Sequence, residues 1–129
     1  MMSEMKIFSV EEADALIPRV RPLLEVIQKS YSELLANREA AEKAAKGAEL
    51  GGGGMPGSGR YVELLDRLAD ATTNLASHGI QLKDYGRGLI DFPSLRDGKV
   101  VLLCWQLGEP EKVEWWHDVD AGFAGRKPL

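Results

Sequence analysis

Residues 88–126 read GLIDFPSLRDGKVVLLCWQLGEPEKVEWWHDVDAGFAGR, and this stretch decides the fold. Asp97-Gly98 at its centre is a strong signal for a two-residue hairpin turn, whose central residues both need positive φ. Lys99–Leu107 follows as the best strand in the chain, rich in Val, Leu and Trp. Leu89–Phe92 is its expected partner, closed by Pro93, which cannot donate to a ladder. Gly108-Glu109-Pro110-Glu111 is the next turn, and Lys112–Asp118 the strand after it. Ile80–Lys83 adds a short strand ahead of the turn Tyr85–Gly88. The expectation for residues 80–118 is an antiparallel meander of three to four strands. The glycine-broken tail, 119–129, should cover it as a loop.

Upstream of Gly79 the apolar period is helical. Ser9-Val10-Glu11-Glu12 has the form of a capping box, so a helix starts at Val10. Pro18 and Pro22 are poor in a helix interior. They predict a short first helix, Val10–Ile17, and a second, longer one carrying the stripe Val20, Leu24, Ile27, Tyr31, Leu34. A further helix, Arg60–His78, carries Tyr61, Leu65, Leu68, Thr72 and Leu75 at the same four-three spacing. Gly79 is its left-handed stop. Residues 10–46 and 60–78 therefore read as an antiparallel helical hairpin, joined by a flexible glycine-rich connector at 47–59. That connector lacks the Lys-Ser or Lys-Thr of a phosphate-binding loop. The fold class is α+β in a single domain of 129 residues.

The net charge of −4 excludes the clustered basic footprint of a nucleic-acid binder, and it disfavours an anionic membrane surface. The longest apolar run, Val100–Trp105, is far too short to span a bilayer. No signal peptide is evident, and a lone cysteine, Cys104, fits a reducing cytoplasm. Apolar surface on the helices beyond what one small core absorbs predicts a homo-oligomer, most simply a dimer.

Chemistry-bearing residues concentrate in the opening stretch. Asp91, Glu109 and His117 make a candidate site for a divalent metal such as Zn, Mn or Fe, with His78 a further ligand if its helix end reaches the sheet. The spacing matches no established metal motif. The commoner fate of such a histidine is a half-buried ring, hydrogen-bonded to a carboxylate. Strand counting gives a sharper expectation. The Asp97-Gly98 turn pairs Asp91 with Cys104 and Phe92 with Leu103. If Leu107 then pairs with Val113, His117 falls opposite Leu103, on the other face from Asp91. Cys104 reads as a buried, inert thiol. Arg126 and Arg96, with Trp116 and Phe123, form a candidate site for a small anion. Their ordinary alternative is ion pairing with Glu109, Asp118 or Asp120. Trp115 and Trp116 must point to opposite faces.

The run GLIDFPSLRDGK…LCWQLGE…WWHDVDAGFAGRKPL, with FSVEEADALIPRVRPLL near the start, closely resembles the bacterial proteins grouped as domain of unknown function family 2203. The resemblance covers nearly the whole chain. It carries over Asp91, Phe92, Pro93, Trp105, Gly108, Glu109, Trp116, His117, Gly122, Phe123 and Arg126 as motif positions, and implies no activity. The sequence alone thus favours a binding or interaction protein that self-associates, with its recognition surface on the C-terminal sheet. A divalent-metal protein or small metal-dependent enzyme is the alternative, and an anion binder the second alternative.

Overall fold

The computed structural model describes residues 5–48 and 58–129. Two helices, α1 (Val10–Ala48) and α2 (Ser58–Ser77), precede five strands: β1 (Gln81–Asp84), β2 (Leu89–Arg96), β3 (Lys99–Gln106), β4 (Trp115–Asp118) and β5 (Lys127–Pro128). The strands form one antiparallel sheet in chain order. The α+β class with a helical hairpin stands. Most of the expected glycine-rich connector lies outside the described residues.

The capping box forms as read. Ser9 N donates to Glu12 Oε1 at 3.0 Å, and Glu12 N to Ser9 Oγ at 3.1 Å. The Ser9 backbone and hydroxyl donors hold the Glu12 carboxyl below its ordinary range.

The expected break at the prolines is absent: α1 is one continuous helix with Pro18 and Pro22 inside it. Both prolines are exposed, and their four-residue spacing puts them on one outer face. The carbonyls they release, on Asp14 and Pro18, therefore lie toward solvent. The opposite face buries Ala13, Ile17, Val20, Leu24 and Ile27 completely. An interior proline costs about 3 kcal/mol. Each fully buried aliphatic side chain contributes about 1.5–3 kcal/mol, so the stripe prevails.

The inner face of α2 is Leu64, Leu68, Ala71 and Leu75, one position round from the expected stripe. Tyr61 and Leu65 are exposed. Leu64 and Leu65 are adjacent, so periodicity alone fits either face; the small Ala71 lets the helices approach. Gly79, at φ 85°, ends the helix as expected.

The sheet lays Ile90, Phe92, Leu103 and Trp105 against the helices, where they join Phe8, Ile17, Val20, Leu24 and Leu75 in one core. β2 runs straight through Pro93, which sits opposite Leu102. β1 pairs with β2 only as far as Asp91, so Pro93 has no neighbour needing its missing N–H. Its carbonyl instead accepts Phe8 N at 2.7 Å.

The β2–β3 register is the expected one throughout, around a turn with Asp97 at φ 53° and Gly98 at φ 75°. The β3–β4 register is not. His117 pairs with Leu102, and Trp116 with Leu103, one residue from the expected pairing. The connection is no tight hairpin. Trp105 Nε1 donates to Pro110 O at 2.8 Å, and Val113 N to Asp14 Oδ1 at 2.7 Å. These anchors, not ladder pairing, set where β4 begins.

The tail also differs from expectation. It contains a 3-10 turn at Phe123–Gly125 and then β5, which pairs with Trp115 and Trp116. The sheet therefore has five strands, where three to four were expected. No helix among the described residues is long and apolar enough to cross a membrane.

Gly88 is at φ 60°, and a Cβ there would meet Leu107 Cγ and Cδ1 at 2.6 Å. Gly88→Ala is expected to destabilise the fold by about 1–3 kcal/mol, through left-handed strain and the clash. Urea denaturation measures this, and an unchanged midpoint would contradict it.

Candidate metal centre

The slipped register changes what the sheet can do. Side chains alternate along a strand, and paired residues share a face. Asp91 pairs with Cys104, and His117 with Leu102, two residues from Cys104 on β3. Asp91, Cys104 and His117 thus share the face turned away from the helices. The expected separation of Asp91 from His117 is overturned by that single residue of register.

The three side chains meet. His117 Nε2 lies 3.1 Å from Asp91 Oδ1 and 3.2 Å from Oδ2. One ligand atom from each of Asp91, Cys104 and His117 lies within 4.8 Å of the others. All three are buried, with Asp91 and His117 only 2% exposed.

The other imidazole nitrogen fixes the chemistry. His117 Nδ1 lies 2.8 Å from the carbonyl oxygen of Asp118. A carbonyl only accepts, so Nδ1 carries a proton and donates it. Nε2 therefore faces the carboxylate either with a second proton or with a bare lone pair. A carboxylate and a lone pair repel unless a proton or a cation lies between them. Donation from the distal nitrogen to a backbone carbonyl is also how metal-ligating histidines are oriented.

Burial first, and then the Asp91 carboxylate, push the Cys104 thiol up to about 12. The Arg126 charge opposes this, and the Glu109 charge adds to it. In the absence of a metal the sulfur is therefore a protonated, unreactive group, as its sequence context suggests. A bound cation would reverse that balance, because a coordinating thiol is deprotonated outright.

The other candidates lie elsewhere. Glu109 is committed to local structure: Oε1 accepts Gln106 N at 2.9 Å, and Oε2 pairs with Arg126 Nη2 at 2.5 Å. His78 Nδ1 donates to Asn74 O at 2.9 Å at the end of its own helix, and it is not part of the ligand cluster.

The four residues expected to bind an anion are split between the faces. Arg126 stacks on Trp115 and Phe123, at 4.7 and 4.5 Å from their ring centres, on the outer face. Its Nη1 is buried and meets no acceptor among the described residues. Arg96 lies over Trp116 at 4.7 Å, and Trp116 packs against the helix-side core. The two tryptophans do separate by face.

Cys104 is the member of the cluster that sequence reasoning passed over. The signal was present: the Asp97-Gly98 turn already placed it opposite Asp91. Neither the curated proteins nor the solved structures include a match to the chain. A family model described as Uncharacterized conserved protein (DUF2203) matches residues 6–129, essentially the whole chain, and the protein belongs to that family.

Proposed function

We propose that this is a divalent-metal-binding protein, with Asp91, Cys104 and His117 as ligands. The observation that supports this best is the buried convergence of one carboxylate oxygen, one sulfur and one imidazole nitrogen within 4.8 Å. A mixed oxygen, nitrogen and sulfur set with a thiolate suits Zn or Fe better than Mn. Three protein ligands leave a fourth position open, the pattern of metal sites that act on a bound molecule rather than only brace a fold. Ligation by a thiolate is consistent with a reducing cytoplasmic setting.

The test is elemental analysis after exposure to zinc and extensive dialysis. About one zinc per chain is expected for the wild type, with proton release from the Cys104 thiol as the metal binds. His117→Ala and Asp91→Asn should both lose it. Replacing zinc with cobalt should give a thiolate-to-cobalt charge-transfer band that Cys104→Ser abolishes. Substoichiometric metal in the wild type, or full retention by His117→Ala, would end the assignment.

Self-association is the second reading. Its support is the set of apolar side chains left exposed on the helical hairpin, Val26, Leu35, Val62 and Leu65 among them. It is compatible with the metal site and does not depend on it.

A further inference from the structure

The helix-side face of the sheet is not covered to its corner. The N-terminal lead-in ends its cover at Ser94, whose hydroxyl donates to Phe8 O. Beyond it, Arg96 and Lys99 flank the hairpin turn, and Lys127 of β5 lies beside Trp116 of β4. Strand parity sends Arg96, Lys99, Val101, Trp116, Asp118 and Lys127 to this same face. Together with Asp97 they enclose an open cleft of about 340 Å³. That volume lies at the small end of the roughly 300–1,000 Å³ typical of ligand pockets.

Charge and shape in this cleft agree. Three cations line it against two carboxylates, in a chain whose net charge is −4. The Trp116 ring is the floor, held by the core behind it. Arg96 and Lys127 sit over that ring at 4.7 and 4.9 Å from its centre, which restricts both side chains. Lys99 and Lys127 share a single carboxylate, Asp118, at 3.3 and 3.8 Å. Arg96 pairs with no carboxylate among the described residues, so its planar fork of donors remains available to an incoming ligand. Positive charge thus converges on an aromatic floor with less negative charge than would neutralise it.

We propose that this cleft is a binding site for a small polyanion, a phosphate monoester or a di- or tricarboxylate. Arg96 takes two of its oxygens in a forked contact. Lys127 and Lys99 supply point charges, and Trp116 with Val101 contacts the carbon body. The site lies on the opposite side of the sheet from Asp91, Cys104 and His117, and it stands whether or not a metal binds there.

The experiment is titration of the full chain with inorganic phosphate and with citrate, followed by tryptophan fluorescence and calorimetry. Ionic strength is held constant with sodium chloride, and chloride alone is the control. A saturable response is expected from at least one of the two anions, and whichever gives it identifies the class. Arg96→Gln and Lys127→Gln are each expected to weaken the midpoint by roughly tenfold or more, the scale of one charged hydrogen bond. Both positions are on the surface, and circular dichroism verifies the fold of the variants. A response matched by chloride, one that fails to saturate, or one unchanged in the Arg96→Gln, Lys127→Gln double variant would overturn the proposal.

Discussion

Asp91→Ala, studied in metal-free protein, is expected to lower the unfolding free energy by about 3–5 kcal/mol, the range for breaking a buried pair by removing one partner. The His117 ring is held from behind by the Asp118 carbonyl and cannot turn away without losing that bond. With the carboxylate gone, Nε2 stays buried beside Cys104 and loses the charged partner it bonds in the wild type. Urea unfolding at neutral pH measures the loss. A loss under about 1 kcal/mol would show that the pair is not the buried, directly bonded one described here. The double variant Asp91→Val, His117→Leu separates stability from metal chemistry. Replacing both partners by apolar groups is often neutral, so most of the lost stability should return. Zinc at about 100 times its dissociation constant should stabilise the wild type by about 2.7 kcal/mol, and should leave both variants unmoved.

Trp105→Ala should have an effect of similar size through a different cause. Trp105 is wholly buried and the largest of the fully buried side chains. Truncating a core tryptophan costs about 3–5 kcal/mol, from lost transfer energy and the cavity left behind. Here the ring also anchors the β3–β4 connection through its bond to Pro110 O. Trp105→Phe separates these contributions. It keeps a six-membered aromatic ring in the core and removes the indole N–H together with a smaller part of the ring than alanine does. Pro110 O still accepts Lys112 N at 2.6 Å, so no buried carbonyl is orphaned. The phenylalanine variant should therefore cost about 2 kcal/mol, one hydrogen bond and a smaller cavity than alanine leaves. Equal losses in the two variants would contradict a packing cost that grows with the volume removed.

Where local chemistry dictates geometry, the sequence was readable. The Ser9–Glu12 box, the stop at Gly79 and the Asp97-Gly98 turn each depend on a few adjacent residues, and each formed as expected. From that turn the whole β2–β3 register follows, including the Asp91–Cys104 pairing. What could not be read depended on contacts across the fold. Pro18 and Pro22 are tolerated because the far side of their helix is buried. Leu64 displaces Leu65 because of which face meets α1. β4 slips by one because Trp105, Pro110 and Asp14 hold the preceding loop. That slip is worth one residue of sequence and the whole of the candidate centre, because it brings His117 round to Asp91.

Asp118 has a consequence for how the two sides of the sheet communicate. Its carbonyl orients the His117 ring on one side, and its carboxylate holds Lys99 and Lys127 on the other. An anion that draws those lysines away from Asp118 acts on the same residue that steers the imidazole. Linkage makes any such influence mutual: the factor by which an anion alters metal affinity is the factor by which metal alters anion affinity. One strand of four residues, β4, would then work as a thermodynamic relay between two occupants that never touch.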